Sequence, residues 1–230
     1  MLLLPEPMAA TAEHPCAPRQ PAIPPREPVA IESTVAHVLG AVCRSGVSVS
    51  VWNRPLPREV RHAMAGVQAL MPVHRTFTVS PSEDARALLS EVIRAFPGLS
   101  ETSARAWGED LALLLSLARS IAPASPLRVR LETKANDACR LFHADNVALR
   151  MICTYRGAGT QWLPMQAVDR NRLSDAAQDR PSSIREIGTG AVAVMKGLKY
   201  PDGGDHALVH RSPPADAVQP RVVAVVDILI

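Results

Sequence analysis

Residues 139–163 read CRLFHADNVALRMICTYRGAGTQWL, and the character of the fold turns on them. ALRMICTY, residues 148–155, is a short apolar run closed by Gly157, Ala158 and Gly159, so it predicts a strand ending in a tight turn. Just ahead of it stand His143 and Asp145. Side chains two apart on an extended segment share a face, so an imidazole nitrogen and a carboxylate oxygen there can converge on one ion. The pair arises by chance in roughly a third of chains of this length and composition, so it needs a further ligand from elsewhere.

Working outward, LRVRLET (127–133), GAVAVMKG (190–197), HALVH (206–210) and RVVAVVDILI (221–230) have the same strand-like composition. Upstream the pattern is helical apart from VSVSVW (47–52), which alternates as a strand does. RPLPREVRHAMAGVQAL (54–70) reads as a helix. A second is predicted over DARALLSEVIRAF (84–96), with Ser80, Pro81 and Glu83 offering a capping box and a proline at the first helical position. In SETSARAWGEDLALLLSLARSIA (100–122), Trp107, Leu111, Leu114, Leu115 and Ala118 share one helical face suited to covering a sheet. Helices followed by strands predict an α+β fold, with N-terminal helices packed on a mostly antiparallel C-terminal jelly-roll core.

Residues 1–30 hold eight of the 21 prolines and predict an extended or disordered tail. Residues 31–230 then form a single domain, with a mainly helical layer over 31–125 and a β-rich core over 126–230. The composition is that of a globular chain, 47% hydrophobic and only 3% aromatic. The formal net charge is +3 with no run of five like charges, which argues against a nucleic-acid partner. Cys16, Cys43, Cys139 and Cys153 show no CxxC spacing, so thiols are expected rather than a zinc knuckle or a disulfide framework. Neither a signal peptide nor a run of about 20 apolar residues is present, and a cytoplasmic protein is expected.

A second histidine for His143 and Asp145 is supplied by His210, which ends HALVH. Two histidines and one carboxylate make the ligand set of non-haem Fe(II) oxygenases, with positions left open for cosubstrate and oxygen. Arg221 opens the last strand, eleven residues beyond His210, and its guanidinium suits a bidentate pair with a bound carboxylate. Arg211 is the alternative, disfavoured because adjacent strand residues face opposite ways. Leu149, Met151, Cys153 and Tyr155 share a face, so Tyr155 presents its hydroxyl either to a cosubstrate or to the rim.

His-x-Asp, the run TYRGAGTQW, a late histidine and a following arginine together resemble the Fe(II)- and 2-oxoglutarate-dependent dioxygenase superfamily. More closely, VSVWNRPLP, FHADN, TYRGAGTQWLP and HRSPP are similar to the bacterial family called domain of unknown function 1826, over roughly residues 31–230. The resemblance implies a double-stranded β-helix with His143, Asp145 and His210 as Fe(II) ligands. It makes Arg221 the 2-oxoglutarate anchor, with Thr154 and Tyr155 as weaker cosubstrate contacts and Arg211 in reserve. It implies a hydroxylase-type oxidation, using O2, of a small-molecule or peptide or protein substrate. The alternative is a non-catalytic metal-binding protein of the same fold with a part in zinc homeostasis.

The remaining histidines give no ligand pattern. His206 lies four before His210, a spacing that converges on a helix, whereas GGDHALVH reads as a turn and strand, so His206 is expected to face solvent. His14, His37, His62 and His74 have no metal-like spacing. Gly157, Gly159 and Thr160 match neither phosphate-binding loop pattern and read as a turn. The polar stretch 164–186 reads as either a lid or a surface loop.

Overall fold

The computed structural model describes residues 29–67, 73–82, 88–134, 139–173, 183–214, 216 and 220–230. The fold is mixed α/β around two sheets. The large one has seven strands in the order β1-β2-β8-β5-β10-β4-β3: β1 (Val29–Ser33), β2 (Val47–Trp52), β3 (His74–Val79), β4 (Leu127–Lys134), β5 (Leu149–Arg156), β8 (Val192–Lys196) and β10 (Arg221–Ile228). The small one is β7-β6-β9, from β6 (Thr160–Trp162), β7 (Arg185–Ile187) and β9 (His210–Arg211). All pairings are antiparallel except β1 with β2. From β5 onward the chain crosses between the sheets four times, at β5–β6, β7–β8, β8–β9 and β9–β10, while β6 and β7 are neighbours in the small sheet.

The two walls are held by different faces of the same strands. On β10, Val222, Ala224, Val226 and Ile228 face one apolar cluster, while Val223 and Val225 face another. The first cluster takes in the helices α1 (Arg58–Gly66), α2 (Leu88–Ala95) and α3 (Glu101–Ile121). The second joins the sheets, with Trp162 and Ile187 of the small sheet meeting Val49, Ile152, Met195 and Val225 of the large one.

α3 begins where Ser100 accepts a hydrogen bond from the Ser103 amide at 3.2 Å, a side-chain cap on an otherwise unsatisfied donor. Its stripe of Trp107, Leu111, Leu114, Leu115 and Ala118 is buried as predicted. Within that stripe lies Asp110, paired through both oxygens with Arg54 at 2.5 and 2.8 Å and accepting from the Tyr155 hydroxyl at 2.8 Å. This buried polar cluster ties helix to sheet.

The structure departs from the sequence expectation in several places. β3 was not anticipated, and with β1 and β2 it makes the N-terminal half a contributor of three strands to the large sheet. Pro81 and Ser82 form a turn, helix α2 is seen from Leu88, and residues 83–87 lie outside the described part. The strand expected over 206–210 is confined to β9, because residues 203–206 wind into a short helical turn, α4 (Gly203–His206). His206 is therefore half-buried, with Nδ1 out of solvent, and not solvent-facing. The proline-rich stretch 1–28 and much of the proposed lid, residues 174–182, lie outside the described residues.

Cys139 and Cys153 are free thiols, exposed and buried respectively, whereas Cys43 is disulfide-bonded, contrary to the expectation of thiols throughout. Burial pushes the Cys153 thiol up to about 12. Brief alkylation of the native chain should mark Cys139 and leave Cys153 unmodified until the chain is unfolded. Modification of Cys153 in native protein, read by peptide mapping, would show that β5 opens to solvent.

Candidate metal centre

His143 and His210 meet through the backbone. They are directly opposed in an antiparallel bridge, His143 N–H donating to His210 O at 3.0 Å and His210 N–H to His143 O at 2.9 Å. The bridge adds the His143 segment to the small sheet beside β9, and side chains of directly opposed residues leave the same face. The rings stand 4.7 Å apart between centroids. Asp145, two residues on, joins them, and the three side chains offer ligand atoms all within 4.8 Å of one another.

The loop carrying Asp145 is held by close backbone approach. Leu198 N–H donates to Asp145 O at 2.8 Å and Gly197 N–H to Ala148 O at 2.9 Å. A Cβ on Gly197 would lie 2.2 Å from Val147 O and 2.7 Å from Asp145 O, so only glycine lets the two segments come this near.

Each imidazole is oriented by the backbone carbonyl two residues before it. His143 Nδ1 lies 2.9 Å from Leu141 O and His210 Nδ1 lies 3.1 Å from Leu208 O. A carbonyl oxygen can only accept, so both Nδ1 atoms carry hydrogen, and in the neutral ring Nε2 presents a lone pair. Both Nε2 atoms point at Asp145: His210 Nε2 is 3.2 Å from Oδ2 and His143 Nε2 is 3.7 Å from Oδ1. Asp145 Oδ2 is buried and has no hydrogen-bond partner. Lone pairs of two rings and a carboxylate facing one another repel unless a proton or a cation lies among them. The donor set, two nitrogens and one oxygen, therefore fits a divalent transition metal.

Electrostatics agree with that arrangement. Burial alone would raise the Asp145 carboxyl, but the hydrogen bond and charge of His210 when protonated, with Arg150 and protonated His143, outweigh it and hold the group well below the usual carboxylate range. Burial and the neighbouring His210 push His143 below its ordinary value, which favours the neutral, metal-binding form.

Arg221 is buried on the inner face of β10, that of Val223 and Val225. Its Nε donates to Ala158 O at 2.7 Å, and Nη2 donates to Thr154 Oγ1 at 3.2 Å and Thr160 Oγ1 at 3.1 Å. No carboxylate among the described residues lies within ion-pair distance of it, and burial, only partly offset by the more distant Glu186 and Glu132, lowers the guanidinium to about 10. A buried cation without a counter-charge in direct contact is costly, so this position suits a bound anion. The Gly-Ala-Gly-Thr turn thus has a use beyond reversing the chain, since Ala158 and Thr160 help seat Arg221. Thr154 shares that setting.

Two sequence expectations are corrected or narrowed here. Tyr155 is turned away: it lies in the helix-facing cluster with Met151 and Cys153, and its hydroxyl is engaged by Asp110. Alternation along β5 puts Thr154, and not Tyr155, on the face shared with Arg221. Arg211 lies on the side of β9 away from His210, where its Nε donates to Gln161 Oε1 at 2.9 Å and its guanidinium stacks 4.4 Å from the Phe142 ring.

Arg150 and Asp227 were missed. Arg150 Nη1 lies 2.5 Å from Asp145 Oδ1, and its Nε donates to Asp227 Oδ1 at 2.6 Å. Both are charged residues inside otherwise apolar strands, which is the signal that marks them in the sequence.

Face-to-face sheets carrying a His-Asp-His cluster between them define a β-sandwich protein with a candidate metal centre. The chain belongs to the family described as a protein of unknown function, DUF1826, whose profile matches residues 33–227. No curated protein matches it. Among solved structures it is similar to a Pseudomonas putida prolyl-4-hydroxylase, at 12% identity over 84% of this chain and 97% of that one, with a TM-score of 0.46. It is also similar to dioxygenase for auxin oxidation 1 from Arabidopsis thaliana in complex with 2-oxoglutarate, at 14% identity, 76% and 73% coverage and a TM-score of 0.36. Likeness at this level carries no chemistry across to this chain. Among the described residues, no helix is long and apolar enough to cross a membrane.

Proposed function

We propose that this chain is an Fe(II)- and 2-oxoglutarate-dependent oxygenase built on a double-stranded β-helix. The observation that carries the reading is the pairing of two sites: three side chains whose donor atoms converge within 4.8 Å, and a buried guanidinium held by a carbonyl and two hydroxyls with no ion pair to a described carboxylate. Arg150, which contacts Asp145, and Thr154, which contacts Arg221, lie on the same face of β5, and this supports a reading in which the three donors and the guanidinium serve one site. Crossing between the walls by the segments from β5 to β10 agrees with a double-stranded β-helix.

In this reading His143, Asp145 and His210 hold Fe(II), which with 2-oxoglutarate and O2 supplies the oxidising chemistry. Arg221 receives the distal carboxylate of 2-oxoglutarate, with Thr154 and Thr160 fixing the guanidinium. The backbone carbonyls of Leu141 and Leu208 fix the imidazoles, and Trp162, Ile152 and Val225 keep the interior dry. The oxidised substrate is a small molecule or a peptide or protein side chain.

Anaerobic Fe(II) titration of the whole chain, with and without 2-oxoglutarate, tests this. The expected result is a weak visible charge-transfer band that appears only with both. Arg221→Met keeps most of the apolar stem and removes the donors. Loss of a charge-assisted hydrogen bond costs about 1.5–3 kcal/mol, so 2-oxoglutarate affinity should fall roughly ten- to 150-fold while Fe(II) affinity is nearly unchanged. Stoichiometric Fe(II) without any 2-oxoglutarate binding would leave a metal-binding protein and remove the oxygenase.

A further inference from the structure

Three strands of the large sheet carry one charged residue each at the same level. Register places Asp227 of β10 directly between Arg128 of β4 and Arg150 of β5. Asp227 is 1% exposed as a side chain and is bonded on both sides: Oδ1 accepts from Arg150 Nε at 2.6 Å, and Oδ2 accepts from Arg128 Nε at 3.2 Å and Nη2 at 2.9 Å. Arg150 then reaches across to Asp145 Oδ1 at 2.5 Å. The row alternates in charge and ends on the carboxylate of the candidate metal centre.

Its effect on that carboxylate is specific. A free carboxylate can bind an ion through one oxygen or both. Here Oδ1 is taken by Arg150, while Oδ2 is buried, without a hydrogen-bond partner, and faces His210 Nε2. We infer that Arg150, braced by Asp227, is a positioning residue that confines Asp145 to coordination through Oδ2 alone. This rests on the metal-centre reading above and adds to it. One-oxygen coordination would leave the ion one more position for a chelating dicarboxylate or a further ligand than a two-oxygen Asp145 would. The clamp also selects against ions such as Ca(II), which favour many oxygen ligands and accept two from one carboxylate.

The test uses the full chain loaded with Mn(II), counting metal-bound water through hyperfine coupling to oxygen-17-enriched water. Arg150→Met should cost the ion one of its water ligands as Asp145 turns to chelate it. The same variant should bind Ca(II) more tightly relative to Mn(II) than wild type does. Arg150→Lys, which keeps a charged donor, should restore the wild-type water count. Should Arg150→Met fail to fold because Asp227 loses one of its two partners, Arg150→Met combined with Asp227→Asn removes both buried charges and should show the same lost water. An unchanged water count in a folded variant, with only stability lowered, makes the row structural and overturns the clamp. A wild-type chain that takes up no Mn(II) overturns the metal centre itself, and the clamp with it.

Discussion

His210→Ala is expected to abolish stoichiometric Fe(II) uptake while the chain stays folded. The imidazole is one of only three donors in the cluster, and without it the ion is left with His143 and Asp145 from one short segment beside the positive Arg150. The fold should survive, because the bridge to His143 uses backbone atoms that alanine retains. The buried cavity should cost no more than an ordinary core substitution, about 0.5–3 kcal/mol. His206→Ala is the matched control, four residues away on α4 and outside the cluster. Metal content per folded chain decides the matter: Fe(II) retained by His210→Ala at the wild-type level would take that residue out of the centre.

Asp110→Ala should cause the largest loss of stability of any single change considered. Arg54 and Asp110 are 7% and 3% exposed as side chains and are joined at 2.5 Å. Burial works against the Arg54 charge, and Asp110 more than offsets it. Removing the carboxylate strands a guanidinium in the interior and frees the Tyr155 hydroxyl, which should cost about 3–5 kcal/mol. Tyr155→Phe removes a single hydrogen bond from the same cluster and should cost about 0.5–1.5 kcal/mol. Arg54→Met combined with Asp110→Leu should lose far less than the sum of its parts, since neither charge is then left alone. Denaturant midpoints on Asp110→Ala, Tyr155→Phe, the double variant and its two single changes read these differences. An Asp110→Ala loss no larger than that of Tyr155→Phe would mean that Arg54 reaches water when unpaired.

What could be read from the chain follows from periodicity. His143 and Asp145 share a face because extended side chains repeat every two residues. The same rule ranks Arg221 over Arg211 once His210 is placed on a strand. The stripe of α3 and the alternating strands β2 and β4 are legible in the same way, whereas β5, β8 and β10, buried on both faces, are legible from their apolar, β-branched composition. β3, His74–Val79, was overlooked although HRTFTV alternates, since its outward side chains are polar and it pairs only with β4.

Periodicity alone does not say which face of a strand meets which layer. The face of Leu149, Met151, Cys153 and Tyr155 was legible as a set, yet only packing against Trp107 and Leu111 directs it to the helices and hands the cavity to Arg150, Ile152 and Thr154. The opposition of His143 and His210, 67 residues apart in sequence, exists only because the small sheet adds the His143 segment beside β9. The partners of Arg150 and Arg221 are likewise tertiary. A charge inside an apolar strand announces that it needs a partner, and the register of neighbouring strands decides that Arg150 finds Asp227 and Asp145 while Arg221 finds a carbonyl and two hydroxyls. Local side-chain chemistry and backbone period thus determined the strands, the helical stripe and the candidate ligands, because both act over a few residues. Which ligands face one another, and which buried charge lacks a counter-ion, was decided by sheet register and layer packing, which join residues far apart in the chain.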